Sequence, residues 1–430
     1  MNNINDLSNS QSLASISNIA HEEWLNIFVD NQSRINEWFD RQFSIYPPPL
    51  YASVDLRFAG YKLAPVDTNL FSAGFNNISK TDYPLAISAI KEALLKRKLP
   101  ANWLLIPENH TRNLAYWENV HILQQLFSAA GCQIKIGSLL PELHTKKTLS
   151  FTFGEIELHP LTQGENGLIA SDFQAEAILL NNDFAEGIPV LFKNARHPIY
   201  PPPQAGWHRR RKSQHAYFYQ EFAKEFAEFL NINSWLISTI ESRLDNINLE
   251  NQETLDALAE KADHLFMQVD AEYQRRHIAQ SPFVMLKADA GTYGQAVISV
   301  ASREACLNLT RKQKQEMRFT KGKQPVDAVL LQEGVYTAEF FSDNHIVAEP
   351  VIYLIDGKAI GAFYRVNSKQ TAHDNLNKPG MEFKSFSLME QFESVDTRPS
   401  SNYVRCYAYT VIARLAALAA AKELIDLEGE

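Results

Sequence analysis

The sequence predicts a mixed α/β (α+β) fold, and three stretches of the chain support this prediction. Trp103–Ile136 alternates strand, helix and strand, which is the βαβ pattern of a parallel sheet. Phe283–Val300 predicts two strands joined by a short loop that carries glycine. Tyr403–Leu427 is rich in alanine and leucine and predicts a long helix. Helices and strands therefore share the chain, with a parallel unit in its first half.

Length, charge and cysteine content limit the class of protein. A chain of 430 residues is long enough for two or three domains, and its net charge of −9 argues against nucleic-acid binding as the main function. Cys132, Cys306 and Cys406 lie far apart without CxxC spacing, which is typical of reduced thiols. No apolar run has the length of a membrane span, and the N-terminus lacks a signal-peptide pattern. We therefore expect a cytoplasmic protein without membrane or nucleic-acid partners.

The elements can be justified in chain order. Apolar residues at helical spacing in 12–43 predict one or two amphipathic helices that end before the prolines at 47–49. Alternating residues on both sides of Ala59-Gly60 predict a β-hairpin, with Asp55 on its polar face. The later predicted elements are helices at 82–97, 114–130, 217–230 and 255–277 and strands at 103–107, 133–136, 149–153, 177–181, 328–332, 346–355 and 359–366.

A lysine at the end of an apolar strand is the first candidate for chemistry. Lys287 is followed by a short loop that contains Gly291, Thr292, Tyr293 and Gly294. A lysine ammonium binds phosphate oxygens, and glycine lets backbone N–H groups approach them closely. The spacing matches neither a Walker A loop nor the glycine motif of dinucleotide-binding folds. Taken alone, the stretch slightly favours the alternative of a β-hairpin with an exposed lysine.

Three oxygen donors on the predicted N-terminal hairpin are the second candidate. Asp55 and Asp67 fall on neighbouring strands, and Asn69 follows Asp67 by two positions on the same face. Carboxylate and amide oxygens are the ligands that suit Mg²⁺ bound to ATP phosphates. The alternative is that Asp67 and Asn69 cap a turn.

Two strand ends in the last third of the chain add polar groups. Gln332 and Glu333 end a predicted strand. In a nucleotide-binding cleft, backbone groups at this position would contact the adenine edge and Glu333 would contact the ribose. The sequence is equally compatible with a strand end that simply faces solvent. Arg365 is placed to neutralise a transferred phosphoryl group or a carboxylate. It also faces Glu349 across two predicted strands, and a simple ion pair between them can coexist with that role.

Three further segments could bind substrate groups. The loop 371–380 is rich in amides and could close over an acyl phosphate, unless it is a plain surface loop. The basic run 207–212 could dock anionic groups, although such runs usually face solvent. The segment 108–112 follows a predicted parallel strand, where α/β sheets bind ligands. His110 within it has no partner at zinc-ligand spacing.

Several segments together resemble a known family. They are PVDTNLFSAGFNN, IPENHTRN, AGWHRRRKS, KADAGTYG, LQEGV, AEPVIYLIDGKAIGAFYRVN and NLNKPGM, and they resemble the proteobacterial glutamate–cysteine ligase of the ATP-grasp-like type. The matches run from about residue 51 to the C-terminal helix. The resemblance implies ATP-dependent joining of the γ-carboxyl of L-glutamate to the amine of L-cysteine, the first step of glutathione biosynthesis, with ATP and Mg²⁺. Glutathione synthetase or another ATP-grasp amino-acid ligase is the alternative, ahead of a non-catalytic nucleotide-binding protein.

The resemblance also implies an unusual chain order and a set of site residues. VDTNLFSAGF is similar to the metal-binding segment of eukaryotic glutathione synthetase, which has Glu where this chain has Asp67. Ordinary ATP-grasp enzymes carry these acidic strands near the C-terminus, so a circular permutation is implied. We assign catalysis to Arg365 and Lys287, with Asp289 as a further metal ligand. We assign substrate binding to Arg57, Ser72, Asn76, Asn109, Arg112, Arg210 and Asn375.

The predicted division of the chain has four parts. Residues 1–80 supply helices and the metal-site hairpin, which pack with the nucleotide-binding part at 281–430. Residues 81–215 form a parallel α/β substrate domain, and 216–280 form a helical connector. The expected partners are glutamate, cysteine and ATP, and the sequence leaves a homo-oligomer open.

Overall fold

A computed structural model of the chain confirms the predicted α/β (α+β) class. It describes residues 23–109, 112–164, 167–192, 195–291, 296–319, 325–341, 345–392 and 400–429. The described strands form three sheets: two are antiparallel, and one mixes parallel and antiparallel pairs. Each sheet packs against helices.

The first sheet joins distant parts of the chain. Its strands are β1 (Tyr51–Phe58), β2 (Leu63–Asn69), β15 (Phe340–Phe341), β16 (Ile346–Ile355), β17 (Lys358–Asn367) and β18 (Met381–Phe386). They run antiparallel in the order β18-β17-β16-β1-β2, with β15 beside β16. The predicted N-terminal hairpin is thus confirmed, and it pairs with strands from the last quarter of the chain.

One face of this sheet is covered by helices. They are α1 (Asn26–Asp30), α2 (Gln32–Ile45), α5 (Lys212–Leu230) and α10 (Ser401–Gly429), and α9 (Leu388–Phe392) borders them. Val54, Leu56 and Phe58 alternate along β1 and are buried in the same apolar cluster as α10. The length and apolarity of α10 would suit a membrane span, but 89% of its most apolar window is buried inside the protein. It is therefore the core helix around which the first sheet packs.

The second sheet contains the predicted βαβ unit. Its strands are β3 (Asn102–Pro107), β4 (Gln133–Ser138), β5 (Lys147–Phe151), β6 (Gly154–Gly164), β7 (Gly167–Ala170), β8 (Phe173–Gln174), β9 (Ala177–Asn181) and β10 (Ile199–Tyr200), with helices α3 (Tyr83–Lys96) and α4 (Leu114–Ala129). Strands β3, β4 and β9 are parallel, as predicted. The carboxyl ends of these strands point to one edge.

The third sheet carries Lys287. Its strands are β11 (Glu241–Asp245), β12 (Val284–Ala288), β13 (Val297–Val300) and β14 (Ala328–Glu333), and its helices are α6 (Gln252–Arg275), α7 (Arg303–Leu307) and α8 (Arg311–Glu316). All strand pairs are antiparallel in the order β11-β14-β12-β13. The apolar side of this sheet packs on α6, which leaves its other side to face a cleft.

Several elements differ from the prediction. The elements β6, β7, β8, β10, β15, β18, α7, α8 and α9 were not predicted. Strand β11 was not predicted because its charged residues mask the alternation, and it forms by pairing with β14. Helix α5 begins at Lys212 rather than at 217, because the Asp289 carboxylate accepts the Ser213 backbone N–H (2.7 Å) in its first turn. The strand predicted at 149–153 is β5, shifted by two residues. The helices predicted within 12–43 are present as α1 and α2, while residues 12–22 of that prediction lie outside the described residues. The four-part domain division stays a prediction.

Candidate active site

A cleft between the first and third sheets contains three adjoining cavities. The central cavity lies between Lys287 on β12 and Arg365 on β17. The inner cavity continues behind Lys287 toward Tyr219 on α5. The outer cavity continues past Arg365 toward Ser72, in the loop after β2. Asp67 lies on the walls of all three cavities, so the residues around it decide what the cleft can bind.

The acidic residues of the hairpin lie side by side. Asp55 pairs with Asp67 and Ser53 pairs with Asn69 in the register of β1 and β2, so the oxygen donors share one face as predicted. The Lys212 ammonium donates to Asp67 Oδ1 at 2.6 Å. Burial alone would raise the pKa of Asp67, but Lys212 and the nearby Lys287 outweigh it and lower this pKa to about 2. Asp67 is therefore an anion at neutral pH.

Arg365 is held by two carboxylates. Its Nη1 donates to Asp55 Oδ2 at 2.9 Å and to Glu349 Oε1 at 2.5 Å. Burial would lower the pKa of Arg365, yet these carboxylates raise it above its usual value. Its buried Nε has no hydrogen-bond partner within the described part of the chain. The predicted Glu349–Arg365 pair thus exists, and Arg365 lines both the central and the outer cavity.

Lys287 reaches across the cleft to the edge of β2. Its ammonium donates to the Val66 carbonyl at 2.6 Å and to Gln332 Oε1 at 2.5 Å. The Gln332 amide in turn donates to Glu241 at 2.6 Å. Burial lowers the pKa of Lys287 to about 8, although Asp67 partly offsets this. The lysine is thus a buried cation oriented by its neighbours.

Glu333 is engaged in a buried ion pair. Its Oε1 accepts from the Lys62 ammonium at 2.5 Å, and its Oε2 accepts the Ile240 backbone N–H at 2.9 Å. The ring of Trp235 lies 3.8 Å from the Lys62 nitrogen. Glu333 still borders the central cavity, but its carboxylate is not free for a ribose in this arrangement.

The loop 371–380 covers the central cavity. Arg57 donates to the carbonyls of Ala372 (3.3 Å) and Asp374, and its Nε also pairs with Glu349 (3.1 Å). Asn375 lines the central cavity. The guanidinium of Arg57 therefore works as a clamp that ties the loop to β1.

The other predicted substrate residues divide into two groups. Ser72 lines the outer cavity and Arg210 lines the inner cavity. Asn76 donates to Glu118 (3.2 Å) and borders a separate surface cavity. The remaining pair is also outside the cleft: Asn109 lines a large cavity at the carboxyl edge of the second sheet, and Arg112 is exposed.

Two predicted binding features need separate mention. Gly291 borders the central cavity with a φ of 116°, a conformation that favours glycine. Thr292, Tyr293 and Gly294 lie outside the described residues. Asp289 is buried, and both of its oxygens accept hydrogen bonds from Ser213 (2.7 and 2.8 Å). Its role as a metal ligand stays a prediction, while its observed role is to cap α5.

Three residues of the cleft were not among the assigned site residues, although the sequence had indicated Glu349 as an ion-pair partner and Lys212 as part of a basic run. Lys212 contacts Asp67, although the basic run 207–212 suggested Arg210 instead. Glu349 forms ion pairs with both Arg365 and Arg57, whereas its strand position indicated only the pair with Arg365. Asn377 borders both the central and the outer cavity. The basic run 207–212 and the amide-rich loop 371–380 pointed to these parts of the chain. Neither pattern indicates which of its residues faces the cleft.

The donor set can be tested for a metal ion. Within the described ranges, no three His, Cys, Asp or Glu side chains cluster closely enough to hold a metal by themselves. Asp55, Asp67 and Asn69 instead offer two carboxylates and one amide on one face. Mg²⁺ keeps several waters and is commonly held by one or two carboxylates together with phosphates. The residues therefore fit an Mg²⁺ ion that arrives with a polyphosphate.

Comparisons with known proteins are consistent with this chemistry. Residues 26–424 match the family model described as glutamate-cysteine ligase. The fold is similar to the crystal structure of a protein from Methylobacillus flagellatus KT, provisionally named γ-glutamylcysteine synthetase, with 40% identity and a TM-score of 0.87 over 97% of this chain and 100% of that chain. No curated protein sequence matches the chain.

Two other solved structures are far less similar. D-alanyl-alanine synthetase A from Vibrio cholerae is 11% identical, with a TM-score of 0.33 over 73% of this chain and 80% of that chain. A glutathione synthetase-like effector from Globodera pallida is 10% identical, with a TM-score of 0.39 over 85% of each chain. Structural similarity this low says nothing about the residues of the site.

Proposed function

The chain belongs to the glutamate–cysteine ligase family, and from that premise we propose that the central and outer cavities are its active site. The enzyme is an ATP-dependent ligase that joins L-glutamate to L-cysteine, both small molecules. One observation carries the assignment to this cleft. Lys287 bonds the carbonyl of Val66, 221 positions earlier in the chain, so the phosphate-binding and acidic hairpins share one cleft.

ATP fits the central cavity. Met285, Val297 and Val335 supply apolar walls that suit a purine ring. Lys287 reaches past them to the acidic face of β2, where the triphosphate would lie. Gln332 then serves mainly to orient Lys287, because its oxygen accepts from the ammonium.

Asp55, Asp67 and Asn69 would hold Mg²⁺ against the phosphates. When bound there, the ion would neutralise part of the phosphate charge. Lys212 occupies one oxygen of Asp67, at 2.6 Å. It can turn toward a phosphate when nucleotide enters, because its long side chain is flexible. The circular permutation implied by the resemblance stays a prediction, although Asp67 and Lys287 do meet in one cleft as it requires.

The glutamate γ-carboxylate would enter from the outer cavity. Arg365 stands between this cavity and the central one, and its guanidinium is the charge that we place next to the carboxylate. The carboxylate oxygen attacks the terminal phosphorus of ATP, the bond to the bridging oxygen breaks, and ADP leaves. The cysteine amine then attacks the acyl carbon, the C–N bond forms, and phosphate departs with the amine proton. Arg365 stabilises the negative charge that spreads over the transferring phosphoryl group.

The cavity that contains Asn109 is suitable for the acceptor amino acid. It shares Asp183 with the outer cavity. It also lies at the carboxyl edge of a parallel sheet, where such sheets bind ligands. Asn109 therefore remains a candidate substrate residue, on the acceptor side of the reaction.

We also propose that the enzyme acts in the cytoplasm. The three cysteines are free thiols buried in the fold, as expected where thiols stay reduced. Helix α10 is a core helix.

The substrates can be tested by ADP release. We expect release to require glutamate and Mg²⁺, and to increase strongly when cysteine is added, with γ-glutamylcysteine as the product identified by mass spectrometry. The matched controls are reactions with cysteine alone and with alanine as acceptor. Faster turnover with γ-glutamylcysteine and glycine than with glutamate and cysteine would instead identify a glutathione synthetase.

The contribution of Lys287 can be measured by ATP binding. Lys287→Met keeps the apolar stem and removes the charge. We expect the affinity for a non-hydrolysable ATP analogue to fall about 10–150-fold, because a charge-assisted contact contributes about 1.5–3 kcal/mol. Lys146→Met, which removes a lysine exposed on the second sheet, should leave the affinity unchanged. Calorimetric titration gives both values, and equal affinity of the Lys287→Met variant and the wild type would refute the contact.

The pH dependence of the same affinity provides a second readout. Burial lowers the pKa of Lys287 to about 8 in the free enzyme. Phosphates favour the ammonium and raise this pKa, so binding takes up a proton above pH 8. We expect the affinity to fall above about pH 8, by up to about tenfold per pH unit. The Lys287→Met variant should lack this decline.

A further inference from the structure

A carboxylate on the core helix α10 lies directly behind the cleft. Glu423 is fully buried. It accepts from Arg210 Nε at 2.8 Å and from Arg210 Nη2 at 3.0 Å, which is a bidentate pair. Its Oε2 also lies 3.1 Å from His215 Nδ1. Burial would raise the pKa of Glu423, but Arg210 and His215 outweigh it and lower this pKa to about 2, so the carboxylate is charged and the histidine Nδ1 donates.

Both partners of Glu423 also contact the same residue of β2, Thr68. Arg210 Nη1 donates to the Thr68 carbonyl at 2.7 Å. His215 Nε2 lies 2.9 Å from Thr68 Oγ1, within hydrogen-bonding distance. Thr68 stands between Asp67 and Asn69, the two donors that β2 supplies to the cleft.

The position of β2 explains why these contacts matter. Among the described strands, β2 is the last one of its sheet, and none of them pairs with its outer edge. Two side chains bind that edge instead. Lys287 binds the Val66 carbonyl and Arg210 binds the Thr68 carbonyl. The backbone carbonyls before and after Asp67 in the chain are therefore each bound by a cation, Lys287 and Arg210 respectively. Glu423 orients Arg210.

We propose that Glu423 is a positioning residue, which sets the edge of β2 through Arg210, His215 and Thr68 so that Asp67 and Asn69 present their oxygens together. The inference rests on the proposed role of Asp67 and Asn69 as metal-binding residues. Groups that orient ligands in this way commonly change metal affinity by about 10–100-fold when they are removed. The α10 helix is thus part of the support of the active site as well as of the core.

The first test uses the neutral isostere. In Glu423→Gln, we expect the Mg²⁺ concentration that half-saturates binding of a non-hydrolysable ATP analogue to increase about tenfold. Asp82→Asn is the matched control. Asp82 is also fully buried and accepts from Ser387 Oγ at 2.7 Å, remote from the cleft, so this variant should lose stability with an unchanged Mg²⁺ requirement.

The second test separates positioning from stability. The double variant Glu423→Met/Arg210→Met replaces the buried ion pair by apolar side chains, which often restores stability. We expect its Tm to recover toward the wild-type value while its Mg²⁺ requirement stays raised, because Thr68 has lost the Arg210 contact. Recovery of both quantities together, or a Glu423→Gln variant that changes only Tm, would overturn the inference. The binding assay needs no ligase turnover, so a wrong substrate assignment would appear separately as wild type that binds Mg²⁺ and the analogue without forming γ-glutamylcysteine.

Discussion

Replacing Arg365 by glutamine should lower kcat about 10²–10³-fold with a much smaller effect on the affinity for ATP. Arg365 is a cation at the junction of the central and outer cavities, and Asp55 and Glu349 hold its guanidinium in place. Preorganised donors of this kind act mainly on the charge that develops in the transition state. Single-turnover measurement of ADP release, with separate titration of the ATP analogue, distinguishes the two effects.

The same substitution will reduce stability, and a control is needed for that. Removing the guanidinium leaves Asp55 buried without its cation and leaves Glu349 with Arg57 alone, and losing one partner of a buried pair costs about 3–5 kcal/mol. Arg365→Gln/Glu349→Gln removes one of these charges and should recover part of the stability, measured as Tm. We expect its kcat to remain low. A double variant with wild-type kcat would show that Arg365 serves only to neutralise Glu349.

Replacing Asp67 by asparagine should lower turnover about 10²-fold and raise the Mg²⁺ concentration needed for it about 10–100-fold. Asp67 borders all three cavities, and Lys212 and Lys287 keep its pKa near 2, so its negative charge is present at any working pH. The amide has almost the same shape and lacks the charge, so the fold should persist. Steady-state rates at a series of Mg²⁺ concentrations measure both effects.

Two variants control the Asp67 result. Asp67→Glu keeps a carboxylate, and glutamate is the residue expected here from the resemblance to eukaryotic glutathione synthetase, so we expect it to retain more activity than Asp67→Asn. Asp172→Asn removes an exposed carboxylate that pairs with Lys135 at 3.3 Å on the second sheet, and it should change nothing. An Asp67→Asn variant with an unchanged Mg²⁺ requirement would contradict a metal-binding role.

Local pattern was sufficient for most elements of the fold. Alternation along 51–69 predicted the β1–β2 hairpin, and period two placed Asp55, Asp67 and Asn69 on one face, which the observed register reproduces. The strand–helix–strand pattern predicted the parallel pairing of β3 with β4. These features depend on residues close in sequence, so a single sequence can reveal them.

Residue roles that depend on distant contacts were harder to predict. The basic run 207–212 showed only that cations were present. The helical turn at α5 directs Lys212 to Asp67, while Arg210 is buried against Glu423, 213 positions later. Likewise, Asp289 follows Lys287 by two positions but binds the start of α5. Which side of a loop or helix end faces the cleft is decided by packing partners that the local sequence does not contain.

The sequence by itself determined the strand that ends near Lys287 and the alternation that places the acidic donors on one face, because both patterns involve residues close together in the chain. It also determined the family, through several short segments that together resemble it. The predicted division of the chain already packs the N-terminal hairpin with residues 281–430, but only the tertiary structure decided that it does so by pairing β1 with β16. It also decided which cations meet Asp67 and that Glu423 supports the edge of β2 from the core. The physical reason is that burial makes an unpaired charge or backbone group costly, so each buried group in the cleft takes the partner that the completed fold brings to it.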